Sequence, residues 1–176
     1  MSGMFSYCKS LSFLSDISKW NTNNVRGMDY MFGNCRSLLS LPEVSKWNTN
    51  NLNNMGGMFY SCISLFFLPY ITKWKTNNVN NMSSMFSNCE SLSSLPDLSK
   101  WITNNVYDMS DIFWKSLLSL PDISKWNTDN VNEMNRMFNN CESLSFFPEI
   151  SKWNTNNVNY NSEMFDICIS LLPSIK

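Results

Sequence analysis

Cys8, Cys35, Cys62, Cys89, Cys141 and Cys168 recur every 27 residues, apart from one gap of 52 that is 25 plus 27. Thiols in so regular a file could cross-link, bind a metal or act as nucleophiles. Same-column side chains in stacked coils leave the backbone along parallel Cα–Cβ vectors, further apart on a helical side than the strand spacing of about 4.8 Å. A disulfide needs Cβ atoms about 3.8 Å apart and a near-perpendicular torsion, so neighbouring columns suit bridges badly. The chain has no histidine and no C-x-x-C pair, which removes the usual zinc ligand sets and the commonest general base. The expected role is a file of buried free thiols acting as small hydrophobes.

The charged residues also form rows. Lys19, Lys46, Lys73, Lys100, Lys125 and Lys152 follow Asp16, Glu43, Tyr70, Asp97, Asp122 and Glu149 by three residues. Catalysis needs one asymmetric constellation, not a file of equivalents. Neither a phosphate loop nor a nucleophile elbow is present. The chain therefore reads as non-enzymatic, without cofactor or metal. Five interleaved acids make the lysine row a near-neutral solvated face. Tyr70 breaks the row and leaves Lys73 and Lys75 as a small basic spot. Thirteen basic against fourteen acidic residues give a net charge of −1, which argues against a nucleic-acid partner held by phosphate neutralisation.

Trp20, Trp47, Trp74, Trp101, Trp126 and Trp153 keep the same rhythm. One indole per unit at a fixed phase reads as core, each N–H finding a carbonyl. Trp114 stands outside this column, either plugging a local deletion or exposed. Asn24, Asn51, Asn78, Asn105, Asn130 and Asn157 are expected to bond main-chain groups that a turn leaves unpaired. Only Asn81-Met82-Ser83 matches a glycosylation sequon, unremarkable among 27 asparagines. Recognition chemistry points instead to the two variable positions of the recurring L-x-x-L: Ser12-Phe13, Leu39-Ser40, Phe66-Phe67, Ser93-Ser94, Leu118-Ser119 and Ser145-Phe146. If they face outward, Phe13, Leu39, Phe66, Phe67, Leu118 and Phe146 form an apolar strip able to bind a protein partner. If the following proline upsets strict alternation, half of them turn inward.

The elements that must position these residues come from the repeat, read before anything else. The unit is M-F-x-x-C-x-S-L-x-x-L-P-x-I-S-K-W-N-T-N-N-V-x-x-M-x-x. Copies start at Met4, Met31, Met58, Met85, Ile112, Met137 and Met164, all in one repeat domain over 1–176; the seventh is incomplete. The fifth is short by two residues around Phe113-Trp114-Lys115 and loses its cysteine. Val25, Met28, Met31, Phe32, Cys35 and Leu38 lie mostly three apart, which predicts a short helix or 3₁₀ spiral capped by Thr22-Asn23-Asn24. Leu38 to Val44 predicts a short, proline-interrupted strand. One unit cannot bury enough apolar surface to hold itself, so units must stack. No run of about 18 apolar residues spans a membrane. Met1–Cys8 lacks the regions of a signal peptide, and both ends read either as cut from a longer array or as improvised caps.

The stretch carrying Leu92, Leu95, Pro96, Leu98, Trp101, Thr103, Asn104, Asn105, Val106, Met109, Ile112 and Phe113 resembles the BspA-type leucine-rich-repeat surface proteins. It is closest to their W-N-T-x-N-V-x-x-M-x-x-M-F branch, first collected as mycoplasma proteins of unknown function. The resemblance covers residues 4–176; its departures are the short fifth copy, Asn161 in place of methionine and Ser15 in place of proline. It implies an α/β leucine-rich-repeat-like solenoid of about 27 residues per turn. A parallel β-sheet would line the concave side, with short helices or 3₁₀ turns on the convex side. It also implies a non-catalytic recognition or adhesion role at a microbial cell surface, with a protein partner along the concave face. The other reading is a spacer or scaffold segment of a larger repeat protein.

Overall fold

The computed structural model describes residues 1–116, 119–142, 144, 149–160 and 163–165. Successive copies lie against one another in parallel, but the expected sheet and helices are absent among these residues. The one helix is a single 3₁₀ turn, Pro69–Lys73. Strand pairing reduces to isolated parallel bridges, from Gly27↔Asn54 through Glu133↔Tyr160, with Ser40↔Phe67 and Ser94↔Ser119 elsewhere. The parallel-sheet solenoid is therefore not what this sequence forms.

A chain of tight turns replaces the predicted spiral. Met31, Gly33 and Cys35 donate their N–H groups three residues back, to Met28, Tyr30 and Phe32, while Met28, Tyr30, Phe32 and Asn34 donate forward to Asn54, Gly56, Met58 and Tyr60 of the next copy. The same alternation recurs in the following copies. It requires left-handed residues at the third position of alternate turns, as in type II turns. They are Tyr30 (φ 50°) and Asn34 (φ 62°) here, and Ser84 (φ 55°) and Asn88 (φ 58°) two copies on. Among the described residues, none of the eleven non-glycines in this conformation is β-branched, as the steric cost of that region demands. Gly57 (φ 60°) takes the same place, and a Cβ there would overlap the Tyr30 ring. Such alternation is incompatible with a helix.

The predicted strand fails for a complementary reason. Leu39 donates to Ser12 and Phe66 to Leu39, but Pro42, Pro96 and Pro121 follow closely with no N–H to extend a ladder. In the bridge file near Asn54 the bonds change direction. Asn54 donates back to Arg26 and Met28 donates forward to Asn54, the two bonds of one parallel bridge. The next donor, Gly56, bonds the Asn54 side chain instead and the Met28 carbonyl is taken by Met31, so each contact remains a single bridge.

The core consists of files, as the period predicts. Phe32, Phe59, Phe86, Phe113 and Phe138 are fully buried, with ring centroids 5.7–6.1 Å apart and interplanar angles of 3–17°. Trp20 stacks on Trp47 and Trp47 on Trp74 at 6.3 and 6.2 Å. Each indole reaches one copy back for its acceptor: Trp47 to the Ile17 carbonyl, Trp74 to Val44, Trp101 to Ile71 and Trp126 to Leu98. Trp153 departs, its buried Nε1 having no partner among the described residues.

The expected asparagine ladder is present. Asn51, Asn78, Asn105, Asn130 and Asn157 donate side-chain amides to the carbonyls of Asn23, Asn50, Asn77, Asn104 and Asp129 at 2.6–2.7 Å. Thr22, Thr49 and Thr76, expected to cap helices, are buried instead. Their hydroxyl oxygens accept the N–H groups of Asn48, Lys75 and Ile102 in the next copy.

The deletion in the fifth copy sits later than its sequence suggests. Phe113, Trp114 and Lys115 keep their columns, donating or accepting at the usual places. Ser116 bonds back to Phe113 as Cys89 does to Phe86, so Ser116 stands in the cysteine column. Ser119 bridges Ser94; the two missing residues therefore lie between Ser116 and Ser119.

Candidate functional site

The L-x-x-L positions decide where a partner could dock. Both residues of the third copy's pair face outward, Phe66 63% and Phe67 53% exposed, while Phe13 at 65% and Leu39 at 43% are the exposed members of pairs whose serines are half-buried. Alternation is lost because single bridges do not impose a pleat, and the flanking Leu65 and Leu68 are both buried. The backbone then brings the four together. Phe66 N–H bonds the Leu39 carbonyl, placing these side chains in neighbouring copies of one file. Phe67 pairs with Ser40, beyond which the same column reaches Phe13. Leu118 and Phe146 lie outside the described residues.

The polar rows are wired differently from their sequence reading. Each acid accepts the N–H of the serine two residues on: Asp16 from Ser18, Glu43 from Ser45, Asp97 from Ser99, Asp122 from Ser124 and Glu149 from Ser151, at 2.8–2.9 Å. Those serine bonds, more than nearby lysines, hold all five carboxyls below their ordinary values of 3.8 and 4.5. The ion pairs among the described residues lie elsewhere, Lys115–Glu90 and Arg136–Asp111 at 2.8 and 2.9 Å. Where Tyr70 and Thr72 replace the acid and serine, the carboxylate bond is gone and the backbone takes the 3₁₀ turn.

A pH dependence follows. Carboxyls depressed in the folded chain contribute stability that is complete above their unfolded values and is lost as pH falls through the lower folded ones. Acid unfolding is expected to set in below about pH 4. Replacing Asp16, Asp97 and Asp122 by Asn and Glu43 and Glu149 by Gln should flatten this limb, because the amides keep an acceptor but do not titrate. Thermal melts from pH 7 to pH 2 measure it; an unchanged acid limb would contradict the assignment.

The thiols form no redox or metal centre among the described residues. Cys35, Cys62 and Cys89 are buried free thiols and Cys141 is buried as well, whereas Cys8 is exposed. The four buried thiols donate to the carbonyls of Phe5, Phe32, Phe59 and Phe113 at 3.0–3.1 Å. Burial pushes Cys35 up to about 11 and Cys89 up to about 12, and raises Cys62 as well. No three metal-ligating side chains converge among the described residues.

Two surface features had no clear sequence signal. Tyr7 and Tyr30 are exposed, and Tyr30 meets Tyr60 edge-on at 6.1 Å. These tyrosines occupy columns whose other members are mixed, Asn34, Ser61 and Lys115 in one and Gly57, Ser84 and Asp111 in the other, so periodicity does not mark them. A cleft of about 420 Å³ is lined by Asn24, Arg26, Asn51, Asn53 and Asn78. Trp114 is only partly exposed and its indole bonds the Asn139 side chain at 3.2 Å. No helix among the described residues is long and apolar enough to cross a membrane.

The family model described as "Mycoplasma protein of unknown function, DUF285" matches residues 1–95, 38–120 and 93–176. No curated protein and no solved structure matches the chain.

Proposed function

Because the chain belongs to the DUF285 family, repeat proteins whose function is unknown, we propose that it is a non-catalytic recognition module that docks another protein through Phe13, Leu39, Phe66 and Phe67. The observation that carries this reading is the exposure of four large apolar side chains in adjacent copies. Elsewhere in the same columns stand Ser12, Ser40, Ser93, Ser94 and Ser119, so stacking does not demand aromatics there. Clustered exposed aromatics are a common feature of binding surfaces. The sequence resemblance to surface repeat proteins supports a location at the microbial cell surface as part of this proposal. A spacer role is the second reading, favoured by the near-uniform bonding from copy to copy.

Photo-cross-linking separates the two. A benzophenone amino acid at position 66 or 67 of the full chain, expressed in its source cells, is expected to give a discrete adduct. The same group at Ser94, in the column of Phe67, is expected to give none. Equal adducts at all three positions, or none at any, would support the spacer instead.

A further inference from the structure

The third copy departs from the repeat more than once within ten residues. Phe66 and Phe67 stand where other copies carry mostly serine. Tyr70 stands where the described copies carry Asp16, Glu43, Asp97, Asp122 and Glu149, and Lys75 where four others carry Asn21, Asn48, Asn127 and Asn154. The consequence for charge is local. Lys46, Lys73 and Lys75 are exposed and have no ion pair among the described residues, whose two pairs lie elsewhere. Glu43 lies within electrostatic reach of both Lys46 and Lys73, and Asp16 of Lys46, but each already accepts the N–H of its own serine. Elsewhere the file alternates acid and base; here it is positive.

The basic and aromatic groups are close in the chain. Phe67 directly precedes Leu68, the residue that leads into the 3₁₀ turn ending on Lys73. Two extended residues and one 3₁₀ turn span roughly 15 Å, the reach of about five extended residues of a bound segment. Tyr70 packs partly against the core, so the exposed side chains of this stretch run from the apolar Phe66 and Phe67 to the ammonium groups of Lys73 and Lys75. Resting on the recognition reading above, we propose that the partner is an acidic peptide segment. An aromatic or aliphatic side chain seats on Phe66 and Phe67, and Asp or Glu about five residues away meets Lys73 and Lys75. An anionic membrane is the other surface that aromatics and lysines suit, but clusters that hold acidic lipids carry about 4–8 basic residues, and this one has three.

The test pans a random peptide library against the full chain and two variants, Phe66→Ser/Phe67→Ser and Tyr70→Asp/Lys75→Asn. Each substitution installs a residue that other copies already carry. Selected peptides are expected to pair an apolar residue with Asp or Glu within about five positions. They should bind the first variant at least about tenfold more weakly, as loss of a hot spot implies, and the second about fivefold more weakly. Raising the salt should weaken binding to the parent chain but not to the second variant. Apolar peptides without acids that bind the second variant as well as the parent overturn this proposal and leave the recognition reading standing. Peptides indifferent to Phe66→Ser/Phe67→Ser overturn the recognition reading itself. Binding to phosphatidylglycerol vesicles, lost in the second variant and unaccompanied by acidic peptides, overturns the proposal in favour of a membrane.

Discussion

Replacing Phe86 by alanine is expected to lower the folding free energy by about 3–5 kcal/mol and the melting temperature by roughly 10 °C. Phe86 is fully buried between Phe59 at 5.9 Å and Phe113 at 6.1 Å. Truncation opens a cavity that neither neighbour can fill, because each ring is held by its own copy's bonds. A loss of that size is a large fraction of the 5–15 kcal/mol that holds most domains. Phe5, at the first copy, stacks on Phe32 at 5.5 Å with no described copy before it, and is only partly buried. Phe5→Ala is therefore expected to cost less than half as much. Urea unfolding of both variants checks the difference; equal losses would mean that the rings do not act as a shared file.

The second large effect concerns register. Deleting Glu90 and Ser91 should be tolerated at about 1–2 kcal/mol. It recreates in the fourth copy the shortening that the fifth already carries between Ser116 and Ser119, and the Lys115–Glu90 pair that it removes is half exposed and worth at most about 1 kcal/mol. Deleting Ser83 and Ser84 should instead prevent folding. It removes the left-handed residue of a turn and pulls Met85 and Phe86 off their columns. The forward bonds from Met82, Ser84, Phe86 and Asn88 to Asp108, Ser110, Ile112 and Trp114 lose their alignment together. Circular dichroism melts of the two deletions measure the contrast, and comparable stability of both would contradict the turn alternation.

The files were legible in the sequence, and the backbone that carries them was not. Tryptophans, buried cysteines and the asparagine ladder follow from a fixed period, because stacking forces like onto like. The helix was misread because apolar residues three apart suit a 3₁₀ spiral and a series of tight turns equally well. The distinguishing signal was present in Gly3 and Gly57, and in Asn34, Asn88 and Asn140, residue types that tolerate a left-handed φ, four apart in adjoining columns. The proline-interrupted strand does not form because the proline stops the ladder after a single bridge. The acid row reads in sequence as part of a near-neutral solvated face, but Asp-x-Ser and Glu-x-Ser spacing also describes a local turn. Of the six candidate contact residues, Phe13, Leu39, Phe66 and Phe67 are exposed, and Leu118 and Phe146 lie outside the described residues.

Each copy lies beside the next, one coil per repeat. Spin labels on exposed lysines of the K-W column, in a background with Cys8 and Cys168 replaced by serine, measure this most directly. Pairs at positions 46 and 73, 46 and 100, and 19 and 152 should give distances that rise by about 6 Å for each step along the stack, the separation of the buried rings. Distances that do not grow with the number of intervening copies would contradict the stack.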